Sequence, residues 1–229
     1  MDTLQKVISN GTLSFFLQDN NDPDIEAWAA YNLLRPPKTL IEKHPKFFFG
    51  IPEIDKIFGG IQGLWEIHGK KNTGKTFLCK KLASNCKARV LYCSQSAALC
   101  QEFVEMERNT QDHSRVVGEV HFSLKSLLRR LLRLVNACEY ELIILEGMSG
   151  LLFIEEEGDI VKEVESVLKR LSRNLTIIVT CNVNNDGNII GHYLWNDAIT
   201  NNIYVTKPLP TTISLTHYKY NITSVEFPI

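Results

Sequence analysis

No stretch of the 229-residue chain approaches the roughly 18 consecutive apolar residues that a membrane-spanning helix requires. The N-terminal segment "MDTLQKVISNGTLSFFLQDNNDPD" also lacks the charged region and following apolar region of a secretory signal peptide. These two absences predict an intracellular protein that has no membrane partner.

An excess of positive charge is missing too. The formal net charge is −1, so the chain as a whole is not a cationic clamp for nucleic acid. Any contact with nucleic acid must come from a local patch or through a partner. The composition, 44% hydrophobic and 22% charged, is that of a globular protein with one substantial core.

The cysteines follow no metal-ligand pattern. Cys79, Cys86, Cys93 and Cys100 are spaced seven residues apart, which matches no zinc signature. In an intracellular chain this spacing predicts buried thiols.

Two regions differ in character. Residues 1–46 form a short extension with one predicted helix, which begins with capping residues at Asp22 or Asp24 and includes Trp28. The prolines of "RPPKT" end that helix. Residues 47–229 form the core domain, in which strands and helices alternate.

The core pattern predicts a three-layer α/β domain with a mostly parallel central sheet and antiparallel C-terminal strands. Buried strands are predicted at "GLWEIHG", "ARVLYCS", "EVHF", "ELIILEG" and "LTIIVTC", and the C-terminal strands at "NIYVT", "TISLTHY" and "SVEF". Helices are predicted over 75–86, 97–108, 123–138 and 159–173.

The strongest motif is a phosphate-binding loop. "GKKNTGKT" fits G-x-x-x-x-G-K-[ST] without a mismatch and lies between a predicted strand and a predicted helix. Its backbone N–H groups and the helix N-terminus attract phosphate, Lys75 reaches the β and γ phosphates, and Thr76 ligates Mg²⁺. The predicted nucleotide-binding residues of this loop are Gly69, Lys70, Lys71, Asn72, Thr73, Gly74, Lys75 and Thr76.

The residues around this loop resemble a known family. "FFGIPEIDKIFGGIQGLWEIHGKKNTGKTFLCKKLA" is similar to the opening of the ATPase core of RecA-family recombinases, and "IGHYLWNDAITNNIYV" resembles a segment of their paralogues. The likeness runs from Phe47 onward and is best with the eukaryotic D-type paralogue of the strand-exchange recombinase. It implies a RecA-like P-loop core that binds ATP and Mg²⁺.

Three positions depart from an active ATPase of this family. The catalytic glutamate that activates water corresponds to Ser96, which cannot act as a base. The Walker B aspartate corresponds to Glu146, a predicted nucleotide and Mg²⁺ ligand, and the γ-phosphate sensor glutamine corresponds to Asn182. No residue is therefore assigned as catalytic, and the resemblance predicts ATP binding with weak or no hydrolysis. Two alternatives remain, an active DNA-dependent ATPase and a structural module with an empty site.

The segments that correspond to the two DNA-binding loops of the family lack the cations that would bind DNA phosphates. The first would lie in "GMSGLLFIEEEG", which carries three glutamates and no cation, and the second in "CNVNNDGNIIGHYLW". No Lys or Arg occurs between Arg173 and Lys207, although phosphate contacts supply most non-specific affinity.

Two further features allow two interpretations each. Lys125, Arg129 and Arg133 form a basic stripe that is either a solvated helix face or a docking site for an acidic partner or DNA. Tyr193 and Trp195 are either core or interface aromatics, or stack on a base.

The resemblance implies a nuclear adaptor in homologous recombination and double-strand-break repair. Its implied partners are other RecA-like paralogues, a zinc-containing SWIM-type subunit of a Shu-type mediator complex, and the recombinase filament. Single-stranded DNA would be reached through the complex.

Overall fold

A computed structural model describes residues 45–108, 115–135, 139–155, 157–191, 193–195, 199, 201–209, 212–217 and 222–228. The predicted extension lies outside these residues except for its last two positions. Within the described part of the chain, no helix is long and apolar enough to span a membrane.

Repeated strand–helix units form the body of the domain. The helices are α1 (Pro52–Phe58), α2 (Lys75–Asn85), α3 (Ala97–Arg108), α4 (Leu124–Leu134), α5 (Met148–Ile154) and α6 (Gly158–Leu171), with a 3₁₀ turn at Tyr193–Trp195. The strands are β1 (Leu64–Gly69), β2 (Val90–Ser94), β3 (Val116–Val120), β4 (Leu142–Glu146), β5 (Thr176–Asn182), β6 (Asn202–Leu209), β7 (Thr212–His217) and β8 (Ile222–Pro228).

These strands form one eight-stranded sheet with the order β3-β2-β4-β5-β1-β6-β7-β8. All neighbours from β3 to β6 are parallel, while β6–β7 and β7–β8 are antiparallel. The predicted α/β class with a mostly parallel sheet is confirmed. Because parallel strands share a direction, the C-terminal ends of β1, β2, β4 and β5 meet at one edge, where ligands bind in such sheets.

Helices cover both faces of the sheet. One apolar cluster packs α1, α2 and α3 on a face that includes Trp65, Ile67 and Tyr92. The other packs α4, α5 and α6 on the opposite face, which includes Cys93 and Val179. Side chains of consecutive strand residues point to opposite faces, so Tyr92 and Cys93 belong to different clusters.

Four details of the predicted elements need correction. The strand predicted at "EVHF" is β3 at Val116–Val120, because its pairing with β2 begins at Val90–Val116 and ends at Ser94–Val120. The described part of the helix predicted over 123–138 begins at Leu124 and ends at Leu134, with Ser123 as its N-cap. The segment predicted as the first DNA-binding loop forms α5 from Met148 to Ile154. Strand β6 pairs in parallel with β1, so the antiparallel part begins only at β7.

Of the two open interpretations, the structure decides the one that concerns Trp195. Trp195 is 0% exposed and is a core residue. In the basic stripe, Lys125 forms an ion pair with Glu157 at 3.0 Å, while Arg133 is exposed at the end of α4. The four cysteines at seven-residue spacing are free and buried, as predicted.

Candidate nucleotide-binding site

The phosphate loop connects β1 to α2 at the edge where the parallel strands end. Gly69 pairs with Asn182 of β5 and Val205 of β6, and an added Cβ would lie 2.2 Å from the Val205 carbonyl oxygen. Gly74 has φ +105° and Asn72 has φ +64°, both in the left-handed region that turns a backbone sharply. Glycine is therefore required at position 69 by space and at position 74 by backbone conformation.

Lys75 lies inside the turn of the loop. Its side-chain ammonium donates hydrogen bonds to the carbonyl oxygens of Gly69 at 2.8 Å and Lys70 at 2.7 Å. Burial lowers the pKa of Lys75 to about 8, against smaller opposing influences that include the nearby carboxyl of Glu146. A buried cation at the N-terminus of α2 is suited to holding an anion.

Glu146 is the centre of the polar contacts beside the loop. The hydroxyl of Thr76 donates to its Oε1, and the phenol of Tyr92 donates to its Oε2 at 2.5 Å. Burial and the adjacent Glu146 carboxyl together raise the pKa of Tyr92 far above its usual range. The structure thus brings together Thr76 and Glu146, the two predicted Mg²⁺ ligands, which are 70 residues apart in the chain.

Tyr92 was not predicted as part of the site. It is fully buried, stacks on Phe103 of α3 with ring centroids 3.7 Å apart, and holds one oxygen of Glu146. A phenol in the buried strand "VLYCS" is a signal in the sequence, because a buried hydroxyl requires a hydrogen-bond partner. Which partner it finds depends on β2 and β4 being neighbours.

The sensor position at the end of β5 is connected to α5. The backbone N–H of Asn182 donates to the Ser149 hydroxyl at 2.6 Å, and that hydroxyl donates to the Asn182 carbonyl at 3.3 Å. The backbone N–H of Gly147 donates to the Thr180 hydroxyl at 2.9 Å. Strand β5 therefore holds the start of α5 against the pocket.

Ser96 has a structural contact in place of a catalytic one. Its hydroxyl accepts a hydrogen bond from the backbone N–H of Leu99 at 3.3 Å, which is the contact of an N-cap residue three positions before. Its own backbone N–H donates to the Ser94 hydroxyl at 3.1 Å. The side chain at this position thus caps α3 and contains no group that can accept a proton from water at neutral pH.

These residues surround one cavity of about 780 Å³. Of the predicted nucleotide-binding residues, those that line it are Lys71, Asn72, Gly74, Lys75, Thr76, Glu146 and Asn182. Gly69, Lys70 and Thr73 do not line it. Thr73 is buried and donates to the Lys70 carbonyl at 2.9 Å within the loop, while Lys70 is exposed. The lining residues that were not predicted are Ser94, Gln95 and Gly147 at or just after strand ends, Thr180 within β5, and Leu99 in the first turn of α3.

The donor set fits a nucleoside triphosphate and a divalent cation. The left-handed turn, the buried ammonium and the N-terminus of α2 converge on one cavity, which is large enough for a small-molecule ligand. Hydroxyl and carboxylate oxygens are the ligands that Mg²⁺ prefers, and Thr76 and Glu146 offer one of each.

Three solved structures share this architecture. The RadB recombinase has a TM-score of 0.61 at 16% identity over 79% of this chain and 93% of its own. The chain has a RecA-like fold. The flagellar accessory protein FlaH from Methanocaldococcus jannaschii has a TM-score of 0.59 at 20% identity over 81% and 95%. A KaiC-like protein from Pyrococcus horikoshii OT3 has a TM-score of 0.61 at 14% identity over 81% and 94%.

These three proteins have different names and share the RecA-like fold. The comparison therefore shows the fold of this chain and not its role. No protein-family model matches the chain. No curated protein matches it by sequence either. The fold places the phosphate loop, Glu146 and Asn182 at the C-terminal edge of the parallel strands, where ligands bind in α/β sheets.

The lowered pKa of Lys75 predicts that ATP affinity depends on pH. Below pH 8 the ammonium is already charged, but above it a bound triphosphate must draw a proton onto Lys75. Affinity should therefore fall as pH rises through about 8, by up to about tenfold per pH unit, with proton uptake on binding. Calorimetry from neutral to alkaline pH, in two buffers of different ionisation enthalpy, measures both effects.

Lys75→Arg is the matched control, because arginine keeps its charge over this range. Its affinity should show little pH dependence. A wild-type pH profile as flat as that of Lys75→Arg would contradict the assignment of Lys75 as the titrating phosphate ligand.

Proposed function

We propose that this chain is an adaptor subunit of a recombinase-paralogue complex that acts in homologous recombination and double-strand-break repair in the nucleus. It binds ATP and Mg²⁺ with weak or no hydrolysis, assembles with other RecA-like paralogues, and helps to stabilise recombinase filaments on single-stranded DNA. A zinc-containing SWIM-type subunit is a further proposed partner. The carrying observation is an intact phosphate loop that faces a helix-capping serine, Ser96, instead of a base.

In this proposal the chain's own residues hold and orient the nucleotide. Lys75 and the loop backbone bind the phosphates, while Thr76 and Glu146 ligate Mg²⁺. Tyr92 keeps the Glu146 carboxylate in place from the other side. The bound Mg²⁺ would neutralise phosphate charge. The Ser96 hydroxyl, however, cannot take a proton from the attacking water.

The exposed residues near this edge of the sheet are better suited to contact with protein than with DNA. Helix α5 ends in Phe153 and Ile154, which are 73% and 57% exposed, and Glu155 follows them. Contiguous exposed apolar patches mark interaction sites, and we infer that Phe153 and Ile154 belong to one. The loop after β5 exposes Asn184, Asp186 and Asn188 and carries no cation. We therefore assign single-stranded DNA binding to the assembled complex.

The alternative of an active DNA-dependent ATPase is favoured by one observation. Lys75, Thr76 and Glu146 stand together as they would in a working enzyme. A nucleotide-binding measurement distinguishes a structural module with an empty site from both the ATP-binding adaptor and the active ATPase.

Affinity purification of the tagged chain with mass spectrometry tests the adaptor function. Recovery of other RecA-like chains is expected. Trp28→Ala, or removal of residues 1–35, should reduce partner recovery and survival after DNA damage more than Lys75→Arg does. The physical reason is that the predicted N-terminal helix offers apolar contacts, whereas Lys75→Arg keeps the charge in the loop.

Thermal melting of each variant serves as the folding control. If Lys75→Arg destroys repair while the truncated protein stays folded, bound and functional, the active-ATPase alternative replaces the adaptor. Recovery of no RecA-like chain under conditions that preserve complexes would also reject the adaptor.

A further inference from the structure

Three metal-ligating side chains meet on the face of the sheet opposite helix α2. Cys93 of β2 and Glu119 of β3 are register partners, and His121 follows β3 on the same face two residues later. The Cys93 Sγ, a carboxylate oxygen of Glu119 and a ring nitrogen of His121 all lie within 4.8 Å of one another. Zinc ligands bind at about 2.0–2.3 Å from the metal, so the three atoms would need a small inward shift to share one ion.

The Nε2 atom of His121 points toward Cys93 and Glu119 and lacks a hydrogen bond in the described part of the chain. Its side chain is 9% exposed, and its Nε2 has no hydrogen-bond partner among the described residues. Nε2 lies 3.4 Å from Glu119 Oε2, without the alignment of a hydrogen bond. Apart from this ion-pair contact with Glu119, the buried Nε2 lacks a hydrogen bond to any described residue, which is costly, and coordination of a metal ion would satisfy it.

The other nitrogen of the same ring is held in place. His121 Nδ1 lies 3.1 Å from the Ser126 hydroxyl on α4, and the Ser126 backbone N–H is in turn bound by the Ser123 cap. A hydrogen bond to the distal nitrogen is what orients a metal-binding histidine and sets its tautomer. The ring is thus positioned with Nε2 toward Cys93 and Glu119.

Arg130 completes the surroundings and does not exclude a metal. Its Nε contacts both Glu119 oxygens at 2.9 Å, and its Nη2 contacts Oε1 at 2.8 Å. A carboxylate has about four lone-pair sites, so it can accept from arginine and still ligate a cation. The side chains of Glu119 and Arg130 are 25% and 21% exposed, so solvent reaches the edge of the group.

We propose that Cys93, Glu119 and His121 form a zinc-binding site that joins the edge strand β3 to β2 and to α4. Sulfur, imidazole and carboxylate are the three ligand types that Zn²⁺ takes from proteins, and the fourth position is left to water. On binding, the Cys93 thiol gives its proton to solvent and its sulfur forms the bond to Zn²⁺. Cys93 packs beneath α4 and α6, whereas helix α2, which follows the phosphate loop, packs on the other face, so this site is distinct from the nucleotide cavity.

Cobalt titration of the reduced, metal-free, full-length chain tests this site. Co²⁺ should produce a thiolate-to-cobalt charge-transfer band that Zn²⁺ abolishes by displacement. Cys93→Ser should remove the band, while Cys86→Ser should keep it, because Cys86 lies on the other face and donates to the Ala83 carbonyl at 3.2 Å. Ser126→Ala, which removes only the hydroxyl beside Nδ1, should weaken binding by about 10–100-fold.

A second measurement on the wild type covers the case in which Cys93→Ser does not fold. Bound Zn²⁺ should protect Cys93 from alkylation, as read by peptide mass spectrometry, and leave Cys86 labelling unchanged. The absence of a sulfur-to-cobalt band in the wild type, a band that persists in folded Cys93→Ser, or no protection of Cys93 would each overturn the site. ATP binding by the same preparations should be unaffected in every variant.

Discussion

Replacing Ser96 with glutamate is expected to raise Mg²⁺-dependent ATP turnover by about 10²–10⁴-fold over the wild-type chain, which is the usual contribution of a positioned general base. Ser96 lines the cavity beside Thr76 and Glu146, so a carboxylate there would face the same space as the phosphates. Wild-type turnover should stay near background with single-stranded DNA present, although the wild type is expected to bind ATP. Phosphate release and equilibrium ATP binding, measured on the same preparations, check both statements.

Ser96→Gln is the matched control for this gain of activity. It has the size of glutamate but no basic group, and it loses the same cap on α3, which costs about 0.5–2 kcal/mol. Only the glutamate variant should hydrolyse ATP faster. Equal turnover in the two variants, with ATP still bound, contradicts the view that a missing base limits this site. A wild-type rate on the order of 1 s⁻¹, an ordinary enzymatic rate, contradicts it as well.

Truncating Trp195 to alanine is expected to lower the free energy of unfolding by about 3–5 kcal/mol, the range for buried aromatic-to-alanine changes. Trp195 is 0% exposed, and its indole N–H donates to Glu66 Oε1 at 3.1 Å. Glu66 is itself 2% exposed in the middle of β1, so the variant loses packing and also a hydrogen bond to a buried carboxyl group. Urea unfolding followed by circular dichroism measures the difference.

Trp195→Phe separates the two contributions. It keeps most of the aromatic volume but removes the N–H donor, so its loss should be about 1–3 kcal/mol, the cost of one unsatisfied buried group. Glu66→Gln retains an acceptor oxygen and should cost less than Trp195→Ala. A change of less than about 1 kcal/mol in Trp195→Ala would refute the core role of this residue.

Much of the fold could be predicted from local patterns. Uninterrupted apolar runs marked the parallel strands β4 and β5, because such strands are buried on both faces. The leucines of α4 at positions 124, 127, 128, 131 and 134 are all buried, as the helical period predicts. Helix α5 was missed because the family resemblance assigned this segment as a loop. Burial of Leu151 and Leu152 against the sheet stabilises a short helix that also contains Ser149 and Gly150.

The candidate site, like the fold, could be predicted from the sequence only in part. The phosphate loop is continuous in the sequence, so its residues and their order were readable without a structure. The contacts of Glu146 with Thr76 and Tyr92 join residues 70 and 54 positions apart, and Trp195 reaches Glu66 across 129 positions. None of these distances follows from a periodicity.

By itself, the sequence determined the phosphate loop and the alternation of strands and helices, and it has Ser96 where the family resemblance predicts a catalytic base. Only the tertiary structure decided that β6 runs parallel to β1, that Tyr92 holds Glu146, and that Cys93, Glu119 and His121 meet. The reason is physical. Local patterns specify which face of an element is buried, whereas the strand order of the sheet decides which distant residues become neighbours on that face.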